Sequence, residues 1–152
     1  MELEYALEWF NYAITDLSSA EFLLSMYPLP IEIICYHCQQ SAEKFLKGFL
    51  IYSGVSEPPK THNLIILHDM CLEKNTQFIE ISRACEALNR YGVQPRYLNE
   101  MEILENDMRK AIEYARFIRD FELISEIRNE YQTKESDINN QDNNTPIDNN
   151  NA

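Results

Sequence analysis

Between Ile31 and Gly54 the chain reads IEIICYHCQQSAEKFLKGFLIYSG, and its apolar positions recur at helical spacing. Ile34, Cys38, Ser41, Phe45 and Gly48 follow one another by three or four residues, with Cys35, Ala42, Leu46 and Phe49 in a second row beside them. An apolar face this wide belongs to a central helix flanked on two sides. The remaining face carries Gln39, Gln40, Glu43, Lys44 and Lys47, and Glu43 and Lys47 have the spacing of an exposed ion pair, worth roughly 0.3–0.5 kcal/mol.

The same rhythm predicts the other helices. Leu3, Ala6, Phe10, Ala13, Leu17, Ala20 and Leu24 form the seam of a first helix from about Leu3 to Met26, with Trp9 and Phe22 widening it and Pro28 and Pro30 ending it. So short a connection makes the first two helices an antiparallel hairpin. Gly54 is a natural C-terminal cap, VSEPPK is a proline-rigid turn, and a third helix is expected from Thr61. Its stripe of Leu64, Leu67 and Cys71 is interrupted at Asn75 and Thr76 and resumes through Phe78, Ile81, Cys85 and Leu88, so this helix is bent or split in two. GVQPRYL reads as a loop, with Pro95 excluding regular helix before Arg96 and Tyr97. A last helix is expected from Asn99, capped by Asn99 with Glu102 in capping-box position, along Met101, Leu104, Met108, Ala111, Ala115 and Ile118 toward Arg128. Strand-like alternation is absent. The predicted fold is all-α, an up-down bundle of four main helices over residues 1–131, followed by an Asn- and Asp-rich tail over 132–152 that is too polar to offset its ordering entropy and is expected to be disordered.

Charge narrows the function. Thirteen Lys and Arg against 25 Asp and Glu give a net charge of −12, which disfavours nonspecific binding to a phosphate backbone. The first thirty residues hold no Lys or Arg, so no signal peptide or presequence is expected. Asp16, Glu21, Glu43, Lys44 and Lys47 interrupt the long apolar stretches, so no membrane span is expected either, and the expected address is cytoplasmic. Cys35, Cys38, Cys71 and Cys85 all fall within helical patterns and read as free thiols. Cys35 and Cys38 spell C-x-x-C, for which His37, His62 or Cys71 would be further zinc ligands, but a core-facing helix is a packing site for cysteine, so no metal or other cofactor is expected.

Candidate chemistry is sparse. No P-loop, dinucleotide fingerprint, HExxH or GxSxG occurs. His62 lies at a helix start in P-K-T-H-N, where backbone N–H groups and the helix dipole favour an anion, although a capping turn with Thr61 explains it equally well. Lys44 and Lys47 share one face of the second helix and suit a phosphate or an acidic partner, as they suit a solvated charged face. Arg96, held in a loop beside Tyr97, is a candidate fork for phosphate or carboxylate.

The run CYHCQQSAEKFLKGFL from Cys35 to Leu50, followed by GVSEPPKTHNL from Gly54 to Leu64, resembles the HEPN domain (higher eukaryotes and prokaryotes nucleotide-binding), particularly its minimal stand-alone prokaryotic form. Trp9, Ala13, Asp16, Leu17 and Ala20 resemble that family's first-helix pattern, and Arg96-Tyr97 its R-Y pair before the last helix; the likeness spans about residues 4 to 125. The resemblance implies a helical bundle that forms a homodimer, binds a nucleotide, and pairs with a small nucleotidyltransferase in a toxin–antitoxin-like arrangement. Lys44, Lys47, His62, Arg96 and Tyr97 are then the nucleotide- or phosphate-facing candidates. Some relatives are metal-independent ribonucleases with an Arg followed four to six residues later by His, a pair suited to handling the scissile phosphate and the 2′-hydroxyl. Here every His precedes the first Arg, so the expected function is a non-catalytic binding module. The alternatives are a divergent ribonuclease toxin that joins His62 and Arg96 in space, and a dimeric scaffold acting through protein contacts alone.

Overall fold

The helix from Ile31 to Tyr52 runs through the centre of the molecule and packs against most of the other helices, as its double apolar row requires. In the computed structural model, which describes residues 2–142, the order is α1 (Glu2–Leu23), α2 (Ile31–Tyr52), α3 (Leu64–Lys74), a 3-10 segment (Thr76–Ile81), α4 (Ser82–Asn89), α5 (Pro95–Leu98), α6 (Glu105–Arg119) and α7 (Glu122–Asp142). The described residues form no strand. The all-helical bundle predicted from periodicity is therefore the observed one, with α3 and α4 as the two halves of the split third helix.

α1 lies along α2 and buries the predicted seam of Ala6, Phe10, Ala13, Leu17 and Ala20. The small side chains let the two backbones approach closely: the Ser41 hydroxyl donates to the Ala13 carbonyl at 2.7 Å, and Gly48 faces the Phe10 ring. On the other side of α2, Phe49 meets Phe78 with ring centroids 4.3 Å apart, and Phe78 meets Phe121 at 5.1 Å. The 3-10 segment thereby ties α2 to the start of α7. Buried His68 on α3 fixes the same segment by donating from Nε2 to the Phe78 carbonyl at 2.7 Å.

Local signals set the ends. Gly54 has φ +102°, and the bonds from its N–H to Ile51 and from the Val55 N–H to Leu50, both 3.0 Å, close the α2 terminus as a Schellman motif. α3 begins at Leu64 and not at Thr61: the Asn63 side chain caps it by accepting from the Ile65 and Ile66 N–H groups, while the Thr61 hydroxyl accepts from the Asn63 N–H. Pro95 starts the single-turn helix α5 where a loop is predicted, because its missing N–H costs nothing at a first helical position.

The predicted cap at Asn99 and Glu102 is also displaced. α6 starts at Glu105, where the Asp107 carboxylate accepts the Leu104 N–H at 2.9 Å; Leu104, placed on the seam by periodicity, is exposed, and Ile103 is buried instead. The chain then turns at Asp120, so the predicted last helix is two, with Phe121, Ile124 and Ile127 burying α7. Side-chain burial stops at half-buried Tyr131, close to the composition change at Gln132. The backbone nevertheless stays helical to Asp142, where composition predicts disorder from Gln132, because each residue added to a formed helix gains a hydrogen bond without a new nucleation cost. The rest of the predicted tail, residues 143–152, lies outside the described residues.

The α1–α2 crossing gives a direct stability test. A Cβ on Gly48 would lie 2.6 Å from the nearest Phe10 ring atom and 3.1 Å from the Ala6 carbonyl oxygen. Gly48→Val should therefore destabilise the fold by about 3 kcal/mol, read as a lower urea midpoint; an unchanged midpoint would mean that the helices are spaced further apart.

Candidate functional site

The polar face of α2 is covered, and its charges are matched. Glu43 and Lys47 are a salt bridge of 2.8 Å with side chains 5% and 6% exposed, so the exposed pair predicted from spacing is a buried one. α1 covers it from one side, with Lys47 Nζ 5.8 Å from the centre of the Trp9 ring. The turn before α3 covers it from the other, with His62 Nδ1 2.8 Å from the same Glu43 oxygen that Lys47 meets. Desolvating two opposite charges offsets most of their attraction, but removing one partner leaves a buried charge uncompensated, at about 3–5 kcal/mol.

Two glutamines complete the surroundings. Gln39, fully buried, donates to the His62 carbonyl at 3.0 Å; Gln40 donates to the Gln39 side-chain oxygen at 2.7 Å and to the second Glu43 oxygen at 3.2 Å. Gly92 closes on the Gln39 amide, so the segment leading to α5 and the turn holding His62 both rest on Gln39.

One turn away lies a second carboxylate with the same kind of partners. Asp16 of α1 binds His37 Nδ1 at 2.9 Å and the Lys44 ammonium. Burial alone would raise the Asp16 carboxyl, but hydrogen bonds from His37 and Lys44, followed by their charges, outweigh it and hold the carboxyl below the usual carboxylate range. Asp16 and Glu43 are thus not an acid–base pair with each other; each neutralises one lysine and orients one histidine.

The five predicted site residues fall into three groups. Lys47 and His62 meet on Glu43, Lys44 sits on Asp16, and Arg96 pairs with its neighbour Tyr97. The Arg96 guanidinium donates to the Tyr97 hydroxyl at 2.8 Å and lies 4.6 Å from the ring centre. Among the described residues no ion pair joins Arg96 to a carboxylate, and no hydrogen bond joins Arg96 or Tyr97 to the Glu43 group. α5 nonetheless packs against α2, which puts both groups on one helix's neighbourhood. The predicted site residues leave out Asp16, Glu43, Gln39 and Gln40; the signal for the glutamines is their spacing from Glu43 along one polar face of α2.

The cysteines are sealed in the core. Burial pushes the Cys35 and Cys85 thiols up to about 12 and also raises those of Cys38 and Cys71, so the thiolate needed for metal binding or nucleophilic attack is disfavoured. Among the described residues, no group of three or more His, Cys, Asp and Glu side chains is arranged to hold a metal ion. No described helix is long and apolar enough to cross a membrane.

With this geometry in place, comparison with known proteins gives one match. A family model described as the HEPN domain matches residues 6–127. No curated protein and no solved structure matches the chain.

The Asp16 cluster generates a pH test. A carboxyl depressed in the folded state adds stability above its unfolded pKa, and that stability is lost as pH falls through the folded value. Wild type should exceed Asp16→Asn in urea midpoint at neutral pH, and the gap should close as pH falls below about 4; a gap independent of pH would show that Asp16 acts by packing alone.

Proposed function

Because this chain belongs to the HEPN domain family, we propose that it is a non-catalytic binding module that takes a nucleotide, or the nucleotide-handling face of a protein partner, on Lys44, Lys47, His62, Arg96 and Tyr97. The observation that supports it is where the imidazoles go. His37 is committed to Asp16, His62 to Glu43 and His68 to the Phe78 carbonyl, and none meets an arginine. The Arg–His pairing that suits phosphodiester cleavage therefore has no support in sequence or in space.

The same residues divide the work of binding. Lys44 arrives neutralised by Asp16 and adds donors without net charge, buried Lys47 supports the same face from beneath through Glu43, and the −12 of the whole chain keeps unselective polyanion binding weak. Arg96 keeps its charge and lies beside a half-exposed phenol, a combination that suits one phosphate and one stacked base. A small nucleotidyltransferase, in a toxin–antitoxin-like pair, is the protein partner whose chemistry fits this surface. Homodimerisation belongs to the same reading; Tyr12 and Phe22 on α1 and Phe117 on α6 are the exposed apolar side chains available to a second copy.

Calorimetry with ATP and AMP on the full chain tests the proposal. Saturable heat that weakens about tenfold in Arg96→Ala is expected, with structured and single-stranded RNA left intact. RNA cleavage abolished by His62→Ala would replace this reading with the ribonuclease, and absence of heat with every nucleotide would leave a protein-binding scaffold.

A further inference from the structure

The hydrogen bonds around Glu43 form a loop that begins and ends on His62, and their direction can be worked out at every step. The His62 carbonyl can only accept, so Gln39 presents its NH2 to it at 3.0 Å. The Gln39 oxygen is then turned toward Gln40, which must offer its own NH2, at 2.7 Å. That same NH2 reaches one Glu43 oxygen at 3.2 Å, and Lys47, which has no acceptor, donates to the other at 2.8 Å. Both carboxylate oxygens are thus accepting. The remaining contact, His62 Nδ1 to Glu43 at 2.8 Å, must be an N–H donating to a carboxylate.

The ring nitrogen left over is Nε2. The His62 side chain is 69% exposed while its partner Glu43 is 5% exposed, so a buried, fully satisfied carboxylate anchors one edge of the ring and solvent meets the other. In the neutral ring, Nδ1 carries the proton and Nε2 carries only a lone pair.

We propose that Glu43, through this loop, is a positioning residue that fixes His62 with Nε2 as an acceptor, so that His62 takes a hydroxyl or amine donor of a bound ligand, the sugar or base edge of a nucleotide, and not a phosphate oxygen. The ligand half rests on the nucleotide-binding reading, and it divides the surface: Arg96 is left to meet the phosphate, and His62 selects for the nucleoside. The charged groups that the structure places at the ring are Glu43 and, on the same carboxylate oxygen, Lys47, both on α2.

Two measurements on the full chain test the two halves separately. Long-range proton–nitrogen correlation spectra of labelled protein at about pH 8 should show His62 protonated at Nδ1 and bare at Nε2. Glu43→Gln should give a mixture of tautomers; Gln40→Ala, which keeps the buried ion pair, should loosen the same preference. A wild-type ring protonated at Nε2 overturns the positioning claim, whether or not the variants fold. Calorimetry with adenosine and, separately, with inorganic phosphate on wild type and His62→Ala at about pH 8, folding being checked by circular dichroism, reads the ligand half. Adenosine should bind the wild type and weaken about tenfold in His62→Ala. Phosphate binding that depends on His62 overturns the assignment, and absence of binding by adenosine and every nucleotide removes it together with the nucleotide reading, while the spectra still decide the role of Glu43.

Discussion

A carboxylate that has lost almost all contact with water must be answered by donors, and three elements of this fold close around Glu43 at once. Lys47 and Gln40 reach it along α2, His62 reaches it from the turn before α3, and Trp9 of α1 closes over the lysine. If Lys47 withdrew, the Glu43 charge would be stranded in the interior, which is far more costly than the modest net worth of the pair itself. The constraint therefore specifies position more than it adds stability. It fastens a proline-rich turn, which has few apolar contacts of its own, to the most buried helix in the molecule.

The hydrophobic framework makes that arrangement possible. Alanines at 6, 13 and 20, with Ser41 and Gly48 opposite, bring α1 close enough to α2 for Asp16 and Trp9 to reach lysines on the next helix. The Phe49–Phe78–Phe121 stack holds the other side, so α2 cannot roll to expose its polar face without breaking apolar contacts. Packing and electrostatics thus fix the same rotation of one helix. The consequence is that both lysines of this helix face are already balanced, Lys44 by Asp16 and buried Lys47 by Glu43, so that on the binding reading proposed above recognition would depend on where donors and acceptors point and not on bulk charge.

Features written within one or two turns were legible in the sequence. The α2 rows, the α1 seam, the Gly54 cap and the break at Asn75 all follow from local spacing and local backbone chemistry, and each is where it was expected. The start of α6 was not, because Asn99 and Glu102 imitate a capping box while Asp107, two residues into the real helix, makes the actual bond to Leu104. The site was least legible for a related reason. A row of Gln, Glu and Lys looks alike whether it faces water or matched partners, and here the partners come from far along the chain: Asp16 for Lys44, His62 for Glu43. Periodicity carries no information about pairs so widely separated, so the charged face reads as solvated until the neighbouring helix is in place.

That Glu43 and Lys47 act as one buried unit can be measured most directly by a double-mutant cycle in urea, using Glu43→Gln, Lys47→Met and the double variant. Each single change should cost about 3 kcal/mol or more, and the double should recover much of that loss, giving a coupling of about 2 kcal/mol. Losses that add to within about 0.5 kcal/mol would contradict the claim and show the two side chains to be independent, solvated charges.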